Sequence, residues 1–571
     1  LNNRSACEWK FVGPLALPAD ETRVVTACSD DGVVNVACAG DVRLQQRGEL
    51  SALLNGPTGD ATDLELVLAL VLKFGPEWFT TIAGEFAIVI WDSRANHVSL
   101  VRDPIGLATL YHRNMNGGLK AVSTTTALLA ANDEYDTVFL SEFVLRGCGP
   151  FRDTAYANVK AVEPGTMVHL GKCREYESTF WEAASFSQCD SVDQQEACEE
   201  FRRLLSDSLI DNIDPERSVW AELSGGLDSS AVVTLADHLA SGDAALPALG
   251  GTVTFIDSIG SGDESVYSDL VVSQCRVRNE KIRDYWMWRQ DGERPPRVDQ
   301  PQLNYPFFAR DRNVGMLVKS AGGEILLSGC GPDHYLTGDL SYLADMVARG
   351  SIREAIHQSS TWARALHISI WKVFGTGVVE PLWRAKVCRR PAPRPIPKWV
   401  SRVAKKQLRG RQEGPVTSID SIYEKAIAKK IRDISSDIDR GVLDCYVERR
   451  YPFLAQRLIE YSLGLPASMR THPARVKWIL RESMSGILPE KIRTRRTKGW
   501  IDARLTWSIA HEYDRLNALI ATSVLAEVGC VEPGGLRTAL LAAARGNSDT
   551  CRELLPVLAL ESWLAAGSRS D

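Results

Sequence analysis

Residues 220–233 read WAELSGGLDSSAVV, and their reading decides how the rest of the chain is read. An apolar, strand-like run stops at Ser224-Gly225-Gly226, and an apolar, helix-like run begins after Asp228-Ser229-Ser230. A strand that turns through glycines into a helix aims several backbone N–H groups at one point, and the helix dipole adds partial positive charge there. Glycines let a ligand approach the main chain and serine hydroxyls add donors, so the stretch predicts a phosphate cradle. Val232, Leu235, Ala236 and Leu239 recur at helical spacing and predict a helix packed on a sheet behind it. No lysine closes the loop, which separates it from the G-x-x-x-x-G-K-[ST] pattern.

Asp228 is out of place among phosphates unless a divalent cation turns the repulsion into a bridge. A second carboxylate is then needed. ILLSGCGPDHYLTG, residues 325–338, supplies Asp333 after a short apolar run and the turn Ser328-Gly329-Cys330-Gly331. Two such strand ends in one parallel sheet face a common crevice. GTVTFI, residues 251–256, leads to a loop carrying Asp263 and Glu264, which reads equally as further ligands or as a solvated acidic loop.

At 571 residues the chain exceeds one ordinary core. A net charge of -6 gives no global case for nucleic-acid binding. The most apolar stretch, LELVLALVLKF (64–74), is too short for a membrane span and carries Glu65 and Lys73. The start, LNNRSACEWKF, lacks a secretory pattern. The 13 cysteines are scattered without a C-x-x-C pair, so reduced thiols, a cytoplasmic location and no thiolate metal site are expected.

Residues 1–185 are strand-rich and predict an α+β layered domain, followed by a polar linker around 184–196. Residues 196–571 alternate strands and helices, which predicts a doubly wound parallel sheet, and read mostly helical beyond about residue 341. A basic, Pro-rich insertion around 384–412 has no acidic residue between Arg384 and Arg411. It reads as a solvated loop or as a segment that covers the cleft, holds a peptide or docks a partner protein.

LSGGLDSS (223–230) resembles the pyrophosphate loop of the asparagine synthetase superfamily, and LLSGCGPD (326–333) its second motif. YVERRYPFLAQRLIEYSLGLP (446–466) and KWILRESMSGILPEKIRTRRTKGW (477–500) are similar to two further segments of that family. IAGEFAIVIWDSRANHVSLVRDPIGLATLY (82–111) resembles its glutaminase domain. The resemblance implies an Ntn-hydrolase-like, glutaminase-like first domain and a PP-loop (adenine-nucleotide-α-hydrolase) synthetase domain that splits ATP to AMP and pyrophosphate with Mg2+.

The glutaminase of that family needs a cysteine at the mature N-terminus. This chain begins Leu1-Asn2-Asn3, with Cys7 inside SACEW. The family's N-G-E-I-Y-N loop is replaced by AGDVRL (39–44), and Ala39 offers no side-chain donor for an oxyanion. An inactive glutaminase domain is therefore expected, with Asp63 read as a helix N-cap. Without internal ammonia the amine must arrive on the substrate. Within the superfamily this points to the lasso peptide cyclases or to β-lactam synthetase-like enzymes, and the basic Pro-rich segment resembles the cyclases more.

By family match, Ser224, Gly225, Gly226, Ser229 and Ser230 would cradle pyrophosphate, and Asp228 and Asp333 would hold Mg2+. Leu223, Phe255, Ser328 and Gly329 would surround the nucleoside of ATP. Lys498, flanked by Arg493, Arg495 and Arg496, matches the family's catalytic lysine. Glu448 aligns with the carboxylate of a tyrosine–glutamate base pair whose tyrosine position is Cys330 here; a structural salt bridge to Arg449 or Arg450 is the alternative. The expected activity is ATP- and Mg2+-dependent closure of a macrolactam between an Asp or Glu side chain and the N-terminal amine of a ribosomally made core peptide. A leader peptidase and a leader-binding protein are the expected partners. A small-molecule amide synthetase and a non-catalytic nucleotide-binding scaffold are the competing readings.

Overall fold

The computed structural model describes residues 24–28, 34–54, 61–92, 97–115, 118–122, 128–129, 133–171, 175–186, 189, 192–242, 246–256, 264–283, 285–293, 295–337, 339–386, 396–410, 421–438, 441–473, 475–495 and 502–567. The N-terminal part carries a six-stranded antiparallel sheet ordered Val24–Cys28, Val34–Leu44, Gly84–Asp92, His97–Arg102, Thr166–Gly171, Glu175–Thr179. Its central strand alternates Phe86, Ile88 and Ile90 toward one core with Ala87 and Val89 toward another. Both faces are thus covered, which is what a layered α+β domain requires. A second, three-stranded sheet is built from Gly118–Val122, Tyr111–Met115 and Lys160–Ala161.

The helix Asp63–Phe74 lays Leu64, Val67, Leu70 and Val71 on the first of these cores. Its cap corrects the sequence reading. Thr62 is the N-cap, in a reciprocal box with Glu65, while Asp63 accepts the Leu44 N–H at 2.8 Å and pairs with Arg47 at 2.8 Å. The Arg102-Asp103 pair organises the next corner. Asp103 accepts N–H groups of Ile105, Gly106, Leu107 and Ala108, and Arg102 donates to the carbonyls of Gly106, Ala108 and Val162. A Cβ on Gly106 would stand 2.8 Å from the Ser435 Cβ, so this corner is where the first domain meets the helix Ile422–Asp437.

The second domain holds five parallel strands ordered Asn279–Ile282, Gly251–Phe255, Val219–Glu222, Ile325–Leu327, Glu448–Arg450. The chain visits this sheet outward from Val219–Glu222 on one side and then on the other. The order therefore reverses between Val219–Glu222 and Ile325–Leu327, and a doubly wound sheet opens its crevice at the C-terminal ends of those strands. Val219 and Ala221 pack with Leu205, Val232 and Leu235, whereas Trp220 packs with Val314 and Val318 on the opposite face. The predicted stripe holds: Val232, Leu235 and Ala236 are buried and Leu239 is partly so.

Helices dominate the C-terminal part. Trp399 and Val400 of the basic insertion are buried there: Trp399 accepts the Glu532 N–H at 2.7 Å, and Val400 bridges to Val531. This portion of the insertion is thus built into the core, not solvated. Residues 387–395, 411 and 412 of it lie outside the described residues.

Glu561 is buried in the same helical region, accepting from the Ser523 hydroxyl and the N–H groups of Val524 and Leu525. Burial pushes its carboxyl up to about 7 from 4.5, against those hydrogen bonds. A raised folded-state pKa gives stability that is complete below the unfolded value and lost as pH rises through the folded one. The parent protein should therefore lose about 3 kcal/mol from this group between pH 4.5 and pH 8. Glu561→Gln should flatten that part of the melting-temperature profile, which calorimetry across the range checks.

Candidate active site

The two motifs meet at the crevice. Ser224 donates its N–H to Ser229 Oγ at 3.0 Å, the two hydroxyls lie 2.9 Å apart, and Gly226 donates its N–H to Ser224 Oγ at 3.2 Å. The turn is wound tightly ahead of the helix Leu227–Gly242. Gly225 has φ +75, and a Cβ there would stand 2.7 Å from the Glu264 carbonyl oxygen. Glycine is required on both counts. Gly329 arrives from the neighbouring strand so closely that its Cβ would lie 2.7 Å from the Ser229 nitrogen. Leu223 is buried beneath the turn, and Phe255 ends the adjacent strand with the Arg310 guanidinium 4.9 Å from its ring centroid.

Asp228 and Asp333 are brought together by a residue to which the sequence reading gave no role. Lys477 places Nζ 2.5 Å from Asp228 Oδ2 and 2.7 Å from Asp333 Oδ1, with its side chain only 8% exposed. Lys477 begins the KWILR stretch, but it stands in the left-handed region at φ 60, just before the helix Trp478–Ser483. Helical spacing therefore gave no sign that it turns toward the crevice. Arg481, one turn on, donates to the Val476 carbonyl at 2.9 Å.

The donor set fits a nucleotide and a hard cation. Ser230 Oγ and Asp228 Oδ1 are buried without a hydrogen-bond partner, and the Asp333 side chain is 54% exposed. Oxygen ligands of this kind suit Mg2+, which commonly takes one or two protein carboxylates and completes its shell with phosphates and water. Among the described residues no group of three or more His, Cys, Asp or Glu could hold a metal by itself.

Glu448 is not brought to the crevice. It pairs in register with Ile325, at the start of its strand, and points with Arg450 toward the helix Gln194–Asn212. Arg217 donates to it at 2.6 Å and Arg450 at 2.7 Å. Burial works against its charge, but Arg450 and Arg217 hold its carboxyl below the ordinary value. Its position is that of a structural ion pair, with Arg450 and Arg217 as the partners and not Arg449. Arg449 lies on the other face against Asp444.

Cys330 is half-buried, and burial pushes its thiol up to about 12. Glu264 pairs with Arg495 at 2.6 Å, and Arg493 pairs with Glu482 at 3.0 Å. Asp263, Arg496 and Lys498 lie outside the described residues, as does Cys7. A separate small cavity of about 60 Å³ lies between the two domains, lined among others by Phe139, Phe151, Gln300, Pro301 and Ser435. No helix among the described residues is long and apolar enough to cross a membrane.

A family model described as asparagine synthase matches residues 200–565, and one described as a glutamine amidotransferase domain matches residues 45–181. The chain is 22% identical over 471 residues to an asparagine synthetase (glutamine-hydrolysing) of Bacillus subtilis (strain 168), covering 77% of this chain and 71% of that protein. It is 20% identical over 545 residues to the amidase chyE of Penicillium rubens, covering 82% and 77%. A solved glutamine phosphoribosylpyrophosphate amidotransferase from B. subtilis, complexed with ADP and GMP, matches at 14% identity over 56% of this chain and 66% of that one, with a TM-score of 0.21.

Proposed function

The chain belongs to the asparagine synthase family, and from that premise we propose that it closes a macrolactam on a ribosomally made peptide. The family relationship makes it an ATP-dependent carbon–nitrogen ligase. The observation that carries the finer reading is the AGDVRL stretch. Ala39 to Leu44 run inside the Val34–Leu44 strand and pair residue by residue with Val89 to Gly84. Ala39 is buried there and carries no donor for a glutamine amide. With Asp63 bound to Leu44 and Arg47, this domain supplies no ammonia, and the amine arrives on the substrate.

In this reading an Asp or Glu side chain of the leaderless peptide attacks the α-phosphorus of ATP. Pyrophosphate leaves, and an acyl-adenylate remains. The peptide's N-terminal amine then attacks the acyl carbon, the bond to AMP breaks, and AMP departs with the electron pair. Ser224, Gly225, Gly226, Ser229 and Ser230 would hold pyrophosphate; Leu223, Phe255, Ser328 and Gly329 would surround the nucleoside. Asp228 and Asp333 would hold Mg2+, whose charge would offset that of the phosphates. Lys477, already between those carboxylates, supplies a second cation beside them. Lys498 would stabilise the negative charge that develops at phosphorus and at the acyl carbon. A leader peptidase and a leader-binding protein would deliver the peptide, and the reaction calls for no nucleic acid.

The test is intact mass spectrometry of a leaderless peptide with a free N-terminus and one internal acidic residue, incubated with the protein, ATP and Mg2+. Loss of one water supports the reading. Turnover of ATP with small amino acids and none with peptides favours a small-molecule synthetase instead. A second expected result concerns nitrogen supply: glutamine should be hydrolysed no faster than in buffer, and glutamate release assayed over hours checks this.

A further inference from the structure

The reading above leaves the attacking amine without a proton acceptor, because Glu448 is held at the other end of its strand. Most carboxylates near the crevice are engaged by cations. Asp228 and Asp333 share Lys477, Asp444 holds Arg449, and Glu264 holds Arg495. Asp437 is one exception: it faces His334 at 3.6 Å, an imidazole that burial lowers toward its neutral form, and burial pushes the Asp437 carboxyl up to about 6. Glu222 differs. It is the last residue of the central strand, half-buried, and it accepts the Ser328 hydroxyl at 2.7 Å. Among the described residues it has no ion-pair partner within 4.0 Å.

Two groups gather beside it from the next two strand ends. Cys330 follows Ile325–Leu327, and Tyr451 follows Glu448–Arg450. The Arg449 guanidinium lies 5.7 Å from the Tyr451 ring centroid. Glu222 lies within electrostatic reach of Cys330, Arg449 and Tyr451. The Tyr451 side chain is 8% exposed, yet its hydroxyl has no hydrogen-bond partner. A buried hydroxyl left without a partner, one strand beyond the switch point of a doubly wound sheet, calls for a polar ligand group.

We propose that Glu222 takes the proton from the amine that attacks the acyl-adenylate, and that the open Tyr451 hydroxyl holds that amine in place. The proposal rests on the ligase reading above and names its acceptor half-site. The ammonium gives one proton to the Glu222 carboxylate, the nitrogen lone pair forms the bond to the acyl carbon, and the carbon–oxygen bond to AMP breaks. The second amine proton leaves with the AMP phosphate or to solvent. Of the other groups, burial raises Cys330 and Tyr451 so that both stay protonated, and Asp444 keeps Arg449 charged against the effect of burial. Asp437, pushed up to about 6 by burial, is the competing carboxylate, but it comes from the end of the helix Ile422–Asp437 and not from a strand end of the crevice.

The test compares the parent, Glu222→Gln, Glu222→Asp and Tyr451→Phe in three assays: carboxylate-dependent ATP–pyrophosphate exchange, amide formation with the native amine, and hydroxamate formation with hydroxylamine. Hydroxylamine is already neutral at pH 7.5 and needs no base. Glu222→Gln should keep the exchange half-reaction and hydroxamate formation within about threefold while losing amide formation by about 100-fold, and the acidic limb of the kcat profile should vanish. Tyr451→Phe should raise KM for the amine partner with less effect on kcat, and Glu222→Asp should recover part of the rate. Amide formation by Glu222→Gln at the parent's rate overturns the proposal. So does a parallel loss of all three activities when Glu222→Gln melts like the parent; should it melt lower, retention of the acidic limb by the folded Glu222→Asp decides. A parent that forms amides only from small amines overturns the peptide reading and leaves this assignment to be judged on those amines.

Discussion

Lys477→Met lowers ATP-dependent pyrophosphate release by about 100-fold or more, because the crevice loses the cation that sits between its two carboxylates. The ammonium stands 2.5 Å from Asp228 and 2.7 Å from Asp333, and its side chain is 8% exposed. Removing one member of a buried ion pair leaves uncompensated charge, which typically costs 3–5 kcal/mol; Asp333 is 54% exposed, so about 3 kcal/mol is expected here. Methionine keeps the length of the stem and the same backbone position, so packing changes little. Added Mg2+ should raise the melting temperature of this variant more than that of the parent, since the divalent ion replaces the missing charge. Release at the parent's rate would make Lys477 a bystander.

Gly329→Ala forces the two motifs apart. Its Cβ would stand 2.7 Å from the Ser229 nitrogen and 2.8 Å from the Ser229 Cα, both main-chain atoms that cannot swing away. The expected cost is about 1–3 kcal/mol of stability, as for other insertions into tight packing. The functional cost is larger. A displacement of roughly 1 Å in a positioned site costs about 100-fold in rate, and here the pyrophosphate loop itself is displaced. Gly242→Ala is the control, since nothing lies within 4 Å of the Cβ it would add. Melting curves and pyrophosphate release for the two variants check the comparison.

The parts of the site that were legible in the sequence are those written in turn chemistry. Ser224 to Ser230 and Ser328 to Asp333 break two apolar runs with glycine, serine and aspartate, and local composition alone marks them. The crevice they form follows from the parallel sheet that the alternating pattern predicts. The fold class was legible for the same reason, with the hydrophobic runs of Val219–Glu222, Gly251–Phe255 and Ile325–Leu327 emerging as adjacent parallel strands.

What escaped was set by tertiary partners. Glu448–Arg450 is a strand of three charged residues at a sheet edge, with no apolar alternation to reveal it. Once it lies in register, Glu448 faces Arg217 and Arg450, and the base role inferred from alignment has no geometry behind it. Lys477 turns into the crevice through a left-handed backbone position that no periodicity signals. Asp63 lost the cap to Thr62 because the Leu44 N–H and Arg47 draw its carboxylate the other way. Trp399 belongs to a basic segment that read equally as a solvated loop or as a functional cover, and its burial depends on C-terminal helices far along the chain.

The central claim is that a peptide carboxylate is activated as an adenylate in this crevice. The most direct measurement uses a leaderless peptide whose acidic side chain carries ¹⁸O, incubated with the protein, ATP and Mg2+, with the nucleotide products resolved by mass. The account predicts one ¹⁸O in AMP, none in pyrophosphate, and a peptide lighter by one labelled water. Label in orthophosphate alongside ADP, or cyclised peptide with unlabelled AMP, would contradict it.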